Sequence, residues 1–187
     1  MDPLKFAAYC AYLASWLVFA IAAAVGAMPR LGRPPESSAT TGLTAPVIVG
    51  TLLQVLAAFG ITSSLTSGPL HPRTFELIGA LLLAPAGAAL FVWALRSVPR
   101  DANHEWLITG GAYAWVRHPI YLAFLAILLA TGLLMSSGVK LILPVLLYLV
   151  GSELRIASEE GDLAEKFPEE FARFRSRTRW RYLPGLR

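Results

Sequence analysis

The sequence predicts an all-α fold: a polytopic integral membrane protein with about five transmembrane helices and a C-terminal amphipathic cytoplasmic segment. Three observations carry this. Of the 187 residues, 56% are hydrophobic and only 15% charged, against roughly a quarter charged in soluble domains. The apolar residues gather into five runs separated by polar intervals. The basic residues then sort by side. With the C-terminus inside, 13 of the 16 Lys and Arg residues are cytoplasmic, and only Lys5, Arg73 and Lys140 lie outside. That asymmetry is the one that orients membrane proteins.

Composition also narrows the chemistry. Cys10 is the single cysteine and sits in an apolar run, so neither a disulfide framework nor a cysteine metal site is available. His71, His104 and His118 lack ligand spacing, and no metal is expected. A formal charge of +4 would point to nucleic acid in a soluble chain. Beside five spans it is assigned to membrane lipid, and no nucleic-acid partner is expected.

The first run, Phe6 to Met28, carries no charge and is long enough to cross a bilayer, which takes about 20 helical residues. A secretory signal would have a basic n-region and a shorter apolar core, so this reads as a retained span. Pro29 to Thr41 is a proline- and serine-rich connection that ends it. The second span lies within Leu43 to Leu65, and Ser67-Gly68-Pro69 turns the chain. The third fits between Glu76 and Arg96. Its small residues, among them Gly79, Ala80, Ala84, Gly87 and Ala88, predict close helix packing. The fourth span runs from Ile120 to about Ser137, and Ser136-Ser137-Gly138 turns into the fifth run at Leu141.

That fifth run is short. The twelve residues Leu141 to Ser152 cover roughly 18 Å of a hydrocarbon core near 30 Å thick. Glu153, Arg155, Glu159 and Glu160 follow directly, and ionisable groups at such depth face protein or a watery cavity. Beyond them, Leu163, Phe167, Phe171 and Phe174 recur at helical spacing, with Pro168 separating two short helices. The closing RFRSRTRWRYLPGLR mixes arginines with aromatics, as expected of a segment lying on anionic lipid. The chain thus divides into 1–98, three N-terminal spans, and 99–187, a catalytic-like region of loop, two-helix hairpin and tail.

Leu107 to Tyr121, LITGGAYAWVRHPIY, is the interval where chemistry is expected. Pro119 suits the first turn of a helix, which puts His118 at a helix entrance that favours anions. Two readings stay open on the residues alone. One is a small-molecule site. The other is an interfacial loop, with Arg117 on headgroups and Tyr113, Trp115 and Tyr121 in an aromatic belt. The positive-inside count brings this interval and the charged end of the fifth helix to one cytoplasmic face.

The pattern of Thr109, Gly111, Tyr113, Arg117-His118-Pro119 and Tyr121, then Glu159-Glu160 with Leu163, and Leu183-Pro184 resembles the isoprenylcysteine carboxyl methyltransferase group. These are polytopic membrane enzymes that transfer a methyl group from S-adenosyl-L-methionine. The resemblance covers roughly residues 105 to 187. It implies a cofactor site at Tyr113, Ala114, Trp115, Val116, Arg117, His118, Tyr121 and Glu159. It also implies Arg155 and Glu159 as catalytic residues, with Arg155 receiving the acceptor's carboxylate. The acceptor implied is a lipophilic small molecule such as a prenylated cysteine. The setting implied is the inner or plasma membrane of a prokaryote, with the site facing the cytoplasm. Phe171 and Phe174 stand where the group often has tyrosines. Arg155 and Glu159 are also spaced for an ordinary i,i+4 salt bridge. A non-catalytic membrane scaffold and a nicotinamide-dependent membrane reductase are the alternatives, although no G-x-G-x-x-G fingerprint is present.

Overall fold

The computed structural model describes residues 2–27, 45–63, 72–98, 107–135 and 139–182. They form six α-helices and one 3-10 turn. The helices are α1 (Pro3–Ala27), α2 (Ala45–Ser63), α3 (Thr74–Arg96), α4 (Pro119–Met135), α5 (Val139–Lys166) and α6 (Pro168–Arg177). The 3-10 turn is Gly111–Ala114. Among the described residues there is no strand. The connection Pro29 to Thr41, the turns Ser67-Gly68-Pro69 and Ser136-Ser137-Gly138, and the Leu183-Pro184 pair lie outside the described residues.

Helix boundaries follow local chemistry where hydropathy missed them. α1 starts three residues before Phe6 because Asp2 caps it, its Oδ1 accepting the Leu4 N–H at 3.0 Å. α3 starts before Glu76 because the Glu76 carboxylate turns back to accept the Arg73 N–H at 2.6 Å. That puts Glu76 in the first turn, where a carboxylate also complements the helix dipole. α5 does not stop at Ser152. It runs 28 residues through the charged stretch, so the apolar run and the four charges share one rod about 42 Å long. α6 begins at Pro168 as expected, burying Phe171 and Phe174.

Two clusters build the core. In the first, α3 packs on α1 and α4 through Ala80, Ala84 and Ala88, one residue per turn, with Phe19, Phe91, Ala123 and Ile127. The small-residue run on α3 does pack closely: a Cβ on Gly87 would meet Ala126 Cβ and Ile127 Cγ1 at 3.1 Å. In the second, Ala57 of α2, Tyr121 and Leu125 of α4, Tyr148 and Ile156 of α5 and Tyr182 come together. α4 is therefore the shared wall.

Among the described residues three helices are long and apolar enough to cross a membrane: Pro3–Ala24, Thr74–Arg96 and Leu141–Lys166. Ala45–Ala58 and Pro119–Met135 are shorter apolar helices. Their outward side chains are apolar too, including Leu13, Leu17, Leu52, Val55, Leu82, Leu143 and Leu146, each more than half exposed. Surfaces of that kind belong in lipid, and this is an integral membrane protein by its helices.

Candidate active site

The site is built where α4 begins and α5 becomes polar. Gly111 opens the approach with a φ of 60°, a left-handed conformation that glycine adopts at no steric cost. A Cβ there would also lie 2.1 Å from Ser97 Oγ. Ser97 is committed to this contact, because its hydroxyl accepts the Ala112 N–H at 3.1 Å and donates to Trp93 O at 2.8 Å. The 3-10 turn is thereby tied to the end of α3. Trp115 stands edge-on to Trp93, with ring centroids 6.2 Å apart, and is 73% exposed. Val116 turns inward.

Arg117 and His118 are held by the tail. Their backbone N–H groups donate to Trp180 O at 2.9 Å and Arg181 O at 2.7 Å. The Arg117 guanidinium donates from Nε to Glu160 Oε1 at 2.8 Å, and from Nη1 to the carbonyls of Thr178 and Arg179 at 2.8 and 3.0 Å. Both Arg117 and Glu160 are buried. The interfacial reading therefore fails for Arg117, whose donors go to protein. Arg181 adds a second guanidinium to the cluster, 2.7 Å from Glu153 Oε2 and 3.1 Å from Glu160 Oε2.

His118 lies between two carboxylates. Its Nε2 is 3.3 Å from Glu160 Oε1 and its Nδ1 is 3.6 Å from Glu159 Oε2. A neutral imidazole has one N–H, so only the imidazolium presents a donor toward both acids. Burial opposes that charge. The hydrogen bonds and charges of Glu159 and Glu160 outweigh it and raise the pKa above the ordinary 6.5. The negative charge that the α4 entrance favours is thus supplied by the protein's own glutamates.

Glu159 joins this cluster to Arg155. Its Oε1 accepts a short hydrogen bond from the Tyr121 hydroxyl and lies 3.8 Å from Arg155 Nη2. Tyr148 fixes the backbone beneath, donating to Tyr121 O at 2.7 Å. The Arg155 guanidinium sits 5.5 Å over the Tyr121 ring and donates from Nη1 to Gln54 Oε1 at 3.1 Å. Arg155 and Glu159 each keep about a third of the side chain exposed. Three guanidinium groups (Arg117, Arg155, Arg181) thus face three carboxylates (Glu153, Glu159, Glu160).

Of the residues singled out from sequence, Arg117, His118, Tyr121, Arg155 and Glu159 converge here. Tyr113 and Ala114 lie in the 3-10 turn, where Ala114 O accepts from Thr178 Oγ1 at 3.3 Å. Sequence reasoning passed over Gln54, Ser152, Thr178 and Arg181. For the tail a signal was present. In Thr178-Arg179-Trp180-Arg181-Tyr182 alternate residues are non-basic, the period of an extended strand. Thr178 and Tyr182 are indeed buried. The segment read as lying on lipid instead turns Arg181 and Tyr182 into the protein.

Fold and site define a helical membrane protein with an ion-paired, partly open cluster at one end of its bundle. Residues 80–165 match the isoprenylcysteine carboxyl methyltransferase (ICMT) family. Over that stretch, from mid-α3 through most of α5, the chain is ICMT-like, and the motif residues Arg117, His118, Tyr121, Arg155 and Glu159 all fall inside it. α1, α2 and the tail fall outside. No curated protein matches the chain.

Proposed function

We propose that the protein is an S-adenosyl-L-methionine-dependent membrane methyltransferase acting on a lipophilic acceptor with an anionic group. One observation carries the reading. Glu159, within the ICMT-like stretch, faces His118 and Tyr121 on one side and Arg155 on the other. It stands between a cofactor side and an acceptor side. The donor set fits the cofactor, whose sulfonium and ammonium cations need carboxylates and whose carboxylate needs cationic or N–H donors. When bound, S-adenosyl-L-methionine supplies an activated methyl group.

The remaining work belongs to the chain. Glu159, His118 and Tyr121 hold the cofactor together with the Tyr113–Val116 turn. Arg117 acts at one remove, fixing His118 and the tail. Arg155 orients the acceptor's anion with a planar fork suited to a carboxylate. Methyl transfer is a direct displacement, so no protein nucleophile is required and in-line positioning out of water is the catalytic task. In this reading α2 and α4 also cross the bilayer; 17 residues of α4 reach about 26 Å, close to a thin hydrocarbon core. Residues 99–187 form the catalytic region and the site opens to the cytoplasm of a prokaryotic inner membrane. The acceptor then enters from lipid and the cofactor from water.

Isothermal titration of detergent-solubilised protein with S-adenosylmethionine, S-adenosylhomocysteine and NADPH tests this. Binding of the first two, weakened by His118→Ala in a folded variant, is the expected result. Binding of NADPH alone would make the protein a reductase. Binding of none of them would leave a non-catalytic scaffold.

A further inference from the structure

Gln54 is a polar residue on α2, outside the ICMT-like stretch, with Leu52, Val55 and Leu56 around it each more than half exposed. An amide on such a helix is costly unless both its ends are bonded. Both are. Nε2 donates to Ser152 Oγ at 3.0 Å and Oε1 accepts from Arg155 Nη1 at 3.1 Å. One turn earlier on the same face, a Cβ on Gly50 would lie 2.7 Å from Arg155 Cγ and 2.6 Å from Gly151 O. Across the crossing, a Cβ on Gly151 would lie 2.5 Å from Gly50 O and 3.2 Å from Gln54 Cγ. One face of α2 thus makes room for the stem of Arg155 and holds its head.

The direction of that hold matters. Glu159 pulls on the same guanidinium from the other side, at 3.8 Å, too far for a hydrogen bond. Arg155 Nε is buried and has no hydrogen-bond partner among the described residues. Gln54 therefore occupies Nη1, and the Nε–Nη2 edge, the bidentate fork, makes no hydrogen bond, its Nη2 held only in a loose 3.8 Å ion pair with Glu159. Without the amide, Arg155 would be free to close that gap and hydrogen-bond Glu159 one turn away. Helix packing alone does not require this arrangement, since an apolar side chain at 54 would fill the crossing without any desolvation cost.

We propose that Gln54 is a positioning residue that keeps Arg155 off Glu159 and available to the acceptor's anionic group. The proposal rests on the methyltransferase reading above. It assigns α2 a part in acceptor recognition, beyond that of a lipid-facing span.

The test uses full-length protein in detergent, titrated first with S-adenosylhomocysteine. Saturated with it, the protein is then titrated with an S-prenylated N-acylcysteine and with its methyl ester. Wild type is expected to bind S-adenosylhomocysteine and to prefer the carboxylate to the ester. Gln54→Leu should keep its S-adenosylhomocysteine affinity and lose about tenfold of that preference, the scale of one hydrogen bond to a charged group. Gln54→Glu should lose at least as much, because a fixed carboxylate would occupy Arg155. Should the leucine variant fail to fold, Ser152→Ala frees the amide with little change of volume, and about a threefold loss is expected. An unchanged preference in these variants would overturn the proposal, as would an equal loss of S-adenosylhomocysteine affinity, which marks a merely structural amide. Wild type that binds S-adenosylhomocysteine but treats acid and ester alike would remove Arg155's acceptor role and this inference with it. Wild type that fails to bind S-adenosylhomocysteine would refute the underlying reading itself.

Discussion

The two core clusters meet on α4 and are held together by different physics. On the α1/α3 side the contacts are alanines, glycine and stacked rings, Phe19 and Phe91 lying 4.1 Å apart and nearly parallel. Polar contacts intrude at two points: Tyr9 donates to Leu134 O at 3.5 Å, and Tyr12 pairs with Thr131 at 3.0 Å, Thr131 being also satisfied by its own helix at Ile127 O. On the α5 and tail side the apolar contacts of Leu125, Tyr148 and Ile156 are joined by ion pairs and hydrogen bonds among Arg117, His118, Glu159, Glu160 and Arg181. In lipid, apolar burial does little to drive helices together, so the first half depends on shape. The second depends on charge compensation, which fails abruptly when one partner is removed. The difference separates a scaffold that tolerates trimming from a site that does not.

Arg117→Met is the strongest way to break this comparison. It takes one of three cationic partners from the buried Glu160 carboxylate, leaving His118 and Arg181, and releases the carbonyls of Thr178 and Arg179. We expect a loss of about 3–5 kcal/mol, read as a lower Tm in detergent and new protease cleavage near residues 178–182. A variant as stable as wild type would show that the ion pair holds nothing.

Next come Arg155→Leu and Glu159→Gln, which act on function more than on fold. Glu159→Gln should raise KM for S-adenosylmethionine, and Arg155→Leu should lower turnover with cofactor affinity nearly unchanged. Each effect should be about 1.5–3 kcal/mol, roughly ten- to over a hundredfold. Identical kinetic defects, with a double variant no worse than either, would mean the two act as one salt bridge.

In the apolar half, Phe19→Leu removes the ring stacking but keeps an apolar side chain, and should cost about 1 kcal/mol in Tm measurements, with S-adenosylhomocysteine affinity unaltered. A large loss of affinity there would erase the division between scaffold and site.

The smallest expected effect is a pH slope. Because His118 has a raised pKa in the fold, its stabilisation is complete below the unfolded value of 6.5 and fades as pH climbs through the folded value. Thermal melts from mildly acidic to mildly alkaline pH should therefore show wild type losing stability where His118→Gln stays flat over the same window.

Much of the scaffold was legible because lipid imposes a simple code. Uncharged runs gave the helices from α1 to α4 to within a few residues, and Pro168 marked the break before α6. The small residues of α3 announced a tight contact. The site was half legible. Arg117, His118 and Tyr121 stand together in one motif, and Arg155 and Glu159 are one helical turn apart. Gln54 carried no such signal, since a lone amide in an apolar run has no spacing partner until α2 is laid against α5. Arg181 was hidden among Arg173, Arg175, Arg177 and Arg179, and only the fold distinguishes the one that turns inward.

The strand-like clasp of the tail on Arg117 and His118 has a consequence in time. Thr178 and Arg179 lie 61 and 62 residues after the arginine they bind. At about 5–20 residues per second of synthesis, Arg117 leaves the ribosome roughly 3–12 s before those carbonyls exist. Through that interval the nascent chain has a cation at the mouth of α4 whose permanent acceptors have yet to be made. Until then that part of the charge must be solvated by water or headgroups. Closure of the cluster thereby waits on the tail. A chain stalled after α5 would already offer Glu160 to Arg117, but the guanidinium's Nη1 would lack the two carbonyls that the finished molecule supplies.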